Sequence, residues 1–135
     1  MELKQGRIMK KIIATDKAPK AIGPYSQAVR AGDFIFVSGQ LGMNPETGEF
    51  AGAGAVEQAE RAILNIEAIL KEAGLGLPDV VKTTVLLADI NDFARVNEVY
   101  AKHFSSDFPA RAAYQAAALP KNARVEIEAI AYSRK

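Results

Sequence analysis

Chemistry in this chain is concentrated near its C-terminus, where Val125-Glu126-Ile127-Glu128-Ala129-Ile130-Ala131 alternates with period two. In an extended strand that period puts Val125, Ile127, Ala129 and Ala131 on one face. Glu126 and Glu128 then share the other face, about 7 Å apart by strand rise. The preceding extended segment, Phe108-Pro109-Ala110-Arg111-Ala112-Ala113-Tyr114, sets Arg111 among alanines. A guanidinium beside carboxylates, on a sheet face closed by another subunit, is a pocket for a small carboxylate, because the planar fork matches it bidentately. The same residues also suit intersubunit or solvent-exposed salt bridges, which contribute little and do no chemistry. Pattern alone favours that second reading.

Other candidates are weaker by themselves. Ser38-Gly39-Gln40 ends an apolar run with a hydroxyl and a glycine, the composition of an ordinary strand-end turn. Tyr25 follows Gly23-Pro24 and reads as an edge aromatic, and Asn97 reads as a surface residue in mid-helix. The single His103 suits a helix C-terminus, where it complements the dipole, and receives no role. One histidine and no cysteine leave no thiol nucleophile, no thiolate metal site and no Ser-His-Asp set that can be built with confidence. No metal or cofactor is expected.

The elements that would carry these residues follow from spacing. Lys10 to Ala14 reads as a short strand, and Thr15 to Pro24 as a loop. Tyr25–Arg30 and Asp33–Ser38 form a hairpin around Ala31-Gly32. Phe34-Ile35-Phe36-Val37 is apolar at every position, which predicts a strand covered on both faces. Gly39 to Gly54 is an irregular connection without the Lys-Ser/Thr ending of a phosphate loop. Val56, Ala59, Ala62, Ile63, Ile66, Ile69, Leu70 and Ala73 form one helical stripe, closed by Gly74. Val80 to Leu87 is a strand. A second helix, capped by Asn91 or Asp92, turns Phe93, Val96, Val99, Tyr100 and Phe104 inward. Arg111–Leu119 and Arg124–Tyr132 are strands on either side of Pro120-Lys121-Asn122.

Two helices cannot cover both faces of such a sheet, so its open face should be buried by another copy. The 135 residues fit one domain. Seventeen basic against sixteen acidic residues give no electrostatic case for nucleic acid or an anionic membrane. The N-terminus lacks the apolar core of a signal peptide, so a cytoplasmic protein is expected. Met9-Lys10-Lys11-Ile12-Ile13 reads like a second beginning, which makes residues 1–8 a disordered extension or a start-site artefact and 9–135 the domain.

Taken together, several segments resemble the RidA (reactive intermediate deaminase A, or YjgF) family. They are Ile22-Gly23-Pro24-Tyr25-Ser26-Gln27-Ala28, Phe36-Val37-Ser38-Gly39-Gln40, Asn44-Pro45-Glu46-Thr47-Gly48, Val81-Lys82-Thr83-Thr84-Val85, Asn91-Asp92-Phe93, Val96-Asn97-Glu98-Val99-Tyr100, Pro109-Ala110-Arg111, Leu119-Pro120-Lys121 and Val125 to Ala131. The order and spacing hold from about Met9 to the C-terminus. The resemblance implies a chorismate-mutase-like α+β fold, with two helices on one sheet face and a homotrimer joined through the other, its clefts lying between subunits. It implies cofactor-free hydrolysis of 2-imino or enamine acids, such as 2-iminopropanoate and 2-iminobutanoate, to 2-oxo acids and ammonia. By position Arg111 matches the family's carboxylate-binding arginine and Glu126 its acid. Tyr25, Ser38, Gly39, Asn97 and the position of Ala113 match residues lining its cleft. Ala112 and Ala113 depart from the hydroxyl and cysteine that many members carry, and the segment from Asn97 to Arg111 is short, which leaves pocket shape and substrate range open. A non-catalytic trimeric binder or sensor of 2-oxo acids is the alternative. Endoribonuclease or chaperone-like action, attributed to some relatives, finds no support in charge or aromatic patches.

Overall fold

The alternation in the strands and the three-four spacing in the helices meet in one apolar layer. The computed structural model describes residues 10–133, so residues 1–8 lie outside the described residues. Strands β1 (Lys10–Ile13), β2 (Ala28–Ala31), β3 (Phe34–Leu41), β4 (Val80–Leu87), β5 (Ala110–Gln115) and β6 (Val125–Tyr132) form one sheet in the order β1-β2-β3-β6-β4-β5. Only β4 and β5 run parallel. A parallel pair needs a crossover, and helix α2 (Phe93–His103) supplies it. Helix α1 (Ala55–Glu72) links β3 to β4 and packs on β3, β6 and α2.

Both helices cover one sheet face. Ile35, Val37, Val85, Leu87, Val125, Ile127, Ala129 and Ala131 project from it into the core. Ala59, Ala62, Ile63, Ile66, Ile69 and Leu70 of α1 and Val96, Val99 and Tyr100 of α2 meet them there. The helical stripe is as the spacing requires. Gly74, at φ +79°, ends α1 in a Schellman arrangement, with Gly74 N–H donating to Lys71 O and Leu75 N–H to Leu70 O.

Four local expectations need correction. Phe34-Ile35-Phe36-Val37 is not covered on both faces within the chain: Ile35 and Val37 are buried, while Phe34 and Phe36 are 41% and 46% exposed. β2 begins at Ala28 rather than Tyr25, because Gln27 turns inward and bonds the backbone of Thr15, Ala18 and Pro19. β5 stops at Gln115 rather than Leu119, because β4 ends at Leu87 and offers no pairing edge beyond it. Asp89, not Asn91 or Asp92, accepts the capping bond before α2, from Asn91 N–H. The Asp92 carboxylate is buried and holds Arg95 and Arg124 instead.

Asn65 shows how α1 supports the end of β3. It is fully buried and donates to Leu41 O (3.2 Å) and Met43 O (3.0 Å), closing carbonyls where β3 leaves the sheet. Arg61 Nε in turn donates to Asn65 Oδ1. Asn65→Ala removes the side-chain donor from both carbonyls, leaving Leu41 O its bond from Met43 N–H, and opens a cavity, and is expected to lower unfolding free energy by about 2–4 kcal/mol. Urea denaturation would check this, with the slope unchanged and the midpoint lowered.

Candidate functional site

The candidate residues fall into two groups on different surfaces. Across a ladder, register partners share a face. Arg111 pairs with Thr83, which faces the helices, so Arg111 also lies on the helix side, at the β5 edge. Glu126 pairs with Leu41 and Leu86 on the open face. Arg111 and Glu126 are two strands and three register positions apart, roughly 14 Å between backbones from strand spacing and rise, and point to opposite sides. The guanidinium therefore does not sit beside the carboxylates within one chain, which corrects the expectation from pattern.

Around Glu126 the chain is drawn tight. β3 carries an irregularity between Val37 and Gln40, at Ser38 and Gly39. The Ser38 hydroxyl donates to Ser26 O (2.6 Å) and the Ser38 N–H to Gln27 O, fastening the segment that follows Tyr25 against β3. Gly39 faces Glu126: a Cβ there would lie 2.9 Å from the carboxyl carbon and closer still to Oε2. Only glycine allows this carboxylate to lie over the backbone. Tyr25, half exposed, stands next to Ser26 at the same corner. Burial, and secondly the neighbouring Glu128 carboxylate, hold the Glu126 pKa above its ordinary value. A carboxyl group so placed binds a proton more readily than a solvated one, which suits an acid–base role.

Around Arg111 three residues of α2 act together. Asn97 Oδ1 accepts from Arg111 Nη1 at 2.7 Å. The guanidinium carbon lies 5.2 Å from the Phe93 ring centroid and 4.8 Å from that of Tyr100. Phe93, Asn97 and Tyr100 are spaced by four and three residues, which puts them on one helix face. Among the described residues, Asn97 is the one hydrogen-bond partner of Arg111, so most of the fork remains open to a ligand. Ala113 pairs with Val85 two residues further along the same strand face and is partly buried against the core. Ala112 pairs with Thr84 on the other side.

Sequence reasoning placed Phe93 and Tyr100 in the core and missed their second role as a clamp. Their spacing with Asn97 was the available signal, but it needed the knowledge that β5 returns beside α2. His103 bonds Glu60 of α1 at 2.8 Å and lies apart from both groups. Among the described residues no cluster of three His, Cys, Asp or Glu side chains converges, and no helix is long and apolar enough to cross a membrane.

Known proteins share this arrangement of sequence and fold. The family described as Endoribonuclease L-PSP matches residues 15–133. The chain is 61% identical over 124 residues to the 2-iminobutanoate/2-iminopropanoate deaminase of Capra hircus, covering 92% of this chain and 90% of that protein. The crystal structure of RidA from Psychrobacter sp. PAMC 21119 is 53% identical, with a TM-score of 0.87 over 90% of this chain and 98% of that one. The YjgF gene product of E. coli is 49% identical, with a TM-score of 0.88 over 92% and 99%. With nearly the whole chain matched in both sequence and fold, the protein belongs to the RidA/YjgF/L-PSP family.

Proposed function

We propose that this protein is a 2-iminobutanoate/2-iminopropanoate deaminase, which hydrolyses 2-imino acids to 2-oxo acids and ammonia. The observation that carries the reading is the clamped Arg111 fork, open to a carboxylate, in a chain that is 61% identical to a deaminase of that name. Such substrates have a carboxylate next to a C=N carbon. The fork holds the carboxylate and fixes C2 for attack, replacing a random encounter by a set orientation. Glu126 takes a proton from water as its oxygen bonds to C2 of the protonated imine. The protonated carboxyl then returns that proton to the amino nitrogen of the tetrahedral adduct. The C–N bond breaks as the C=O forms, ammonia leaves, and the hydroxyl proton passes to the carboxylate so regenerated and from there to water or the departing ammonia. Tyr25 and Asn97 supply hydrogen bonds, Ser38 and Gly39 shape the wall, and Ala113 lines the floor. The alanines at 112 and 113 mean that no thiol takes part at this position.

The active site is formed between copies, with Arg111 from one chain and Glu126 from the next, in a homotrimer. Two features support this. The half-sites lie on opposite sides of one sheet. The open face also carries an exposed aromatic patch, with Phe34 5.3 Å from Tyr132 and 6.5 Å from Phe36 between ring centroids. Light scattering is expected to give three times the chain mass; a monomer or a dimer would contradict the arrangement.

A coupled assay tests the activity. A pyridoxal-phosphate enzyme that releases 2-aminoacrylate is run with semicarbazide as an imine trap. This protein should suppress semicarbazone formation beyond the decay in water alone. Unchanged trapping, together with retained binding of 2-oxobutanoate, would leave a metabolite sensor instead.

A further inference from the structure

We propose that Tyr100 is a positioning residue that sets the plane of the Arg111 guanidinium and so tunes the affinity of the site for carboxylate substrates. The inference rests on Arg111 being the carboxylate anchor. Tyr100 is buried, and its hydroxyl is 2.7 Å from Thr83 Oγ1, itself fully buried on β4. Thr83 is the register neighbour of Arg111 on the adjacent strand and shares its face. The tyrosine thus bridges from the root of the arginine's own strand pair to the underside of the arginine's head, where its ring centroid lies 4.8 Å from the guanidinium carbon. Phe104 supports the tyrosine ring, at 4.6 Å between centroids and 31° between planes.

The geometry separates three duties. Asn97 takes one N–H of the fork and fixes its rotation. Phe93 and Tyr100 bring ring carbons to the cation, attracting it electrostatically without using its remaining donors. The donors stay free for an incoming carboxylate, and the side chain, flexible in water, is held ready before the ligand arrives. Preorganisation of this kind lowers the entropy lost on binding. Burial raises the pKa of the Tyr100 hydroxyl, with the Thr83 hydrogen bond and the Arg111 charge opposing it. The hydroxyl therefore stays neutral, and it is engaged by Thr83.

Steady-state kinetics on the intact oligomer tests the proposal with Tyr100→Met, Tyr100→Phe and Arg111→Ala. Methionine fills much of the volume without a ring face and is a good helix former. The expected result for Tyr100→Met is a rise in KM of about tenfold with kcat within about threefold, as for loss of ground-state and transition-state binding alike. Tyr100→Phe keeps the ring and its contact with Phe104 but loses the tether to Thr83, and should give a KM between those of wild type and Tyr100→Met. A residue that merely filled the core would change the melting temperature but not KM. An unchanged KM in Tyr100→Met, while Arg111→Ala raises KM, would overturn the positioning role alone; an unchanged KM in Arg111→Ala would overturn the anchor itself. Should Tyr100→Met not fold, wild-type NMR decides: the Arg111 Nε–H proton must be shifted upfield by the rings, and a random-coil position would refute the clamp.

Discussion

Glu126→Gln is expected to lower kcat by roughly 10²–10⁴-fold, the usual contribution of a positioned general base, while 2-oxobutanoate still binds. The amide keeps the size of the carboxyl and its place over Gly39 but cannot take a proton from water. Turnover and calorimetric binding on the same preparation separate the two effects. A variant with near wild-type turnover would remove Glu126 from the chemistry and return attention to Glu128 or to a binder without catalysis.

The pH profile sharpens this prediction. A base works only when ionised, so kcat/KM is full above the Glu126 pKa and falls as pH drops through it. Burial, first, and the Glu128 charge, second, raise that pKa, so the acid limb should lie above that of a solvated glutamate. Glu128→Gln removes the second cause and should move the limb to lower pH, with the plateau little changed. Using one substrate for both proteins cancels its own titration. A limb that moves up, or stays, would show that the two carboxylates do not interact across the open face.

Arg111→Ala is expected to reduce kcat/KM by roughly 10²–10³-fold, mostly through KM, because two charge-assisted hydrogen bonds to the substrate carboxylate are lost. Arg111→Lys should recover little of this. Lysine keeps the charge but lacks the fork: a guanidinium donates along its edge while its face rests on Phe93 and Tyr100, and a compact, non-planar ammonium cannot do both. Near-complete recovery by lysine would mean that charge alone, rather than bidentate geometry, holds the substrate. The coupled assay distinguishes these cases because the uncatalysed decay of the imine is measured in parallel.

These two residues differ in how much of their setting was legible beforehand. The alternation of Val125 to Ala131 determined by itself that Glu126 faces away from the helices, since a strand with one buried face has no other way to place its apolar side chains. The same periodicity placed α1 and its glycine stop. It also indicated that two helices leave one sheet face open, as Phe34, Phe36 and Tyr132 show. Runs of matching segments carried the family. Local pattern was weaker at Ala110 to Leu119, where alanines specify neither face nor end; the length of β5 is decided by where β4 stops. It also failed at Asp92, which has the composition of a helix cap but is used as a buried partner for Arg124.

What the sequence determined, then, is which residues share a face within each element, because side-chain direction follows backbone periodicity over a few residues. Tertiary structure decided which elements lie side by side, because strand order and crossover depend on long-range pairing that no local spacing encodes. Hence Arg111 and Glu126 read as neighbours in sequence pattern but stand on opposite sides of one sheet. Phe93 and Tyr100, by contrast, read as core residues, and became a clamp only when β5 returned alongside β4 and brought the guanidinium over them.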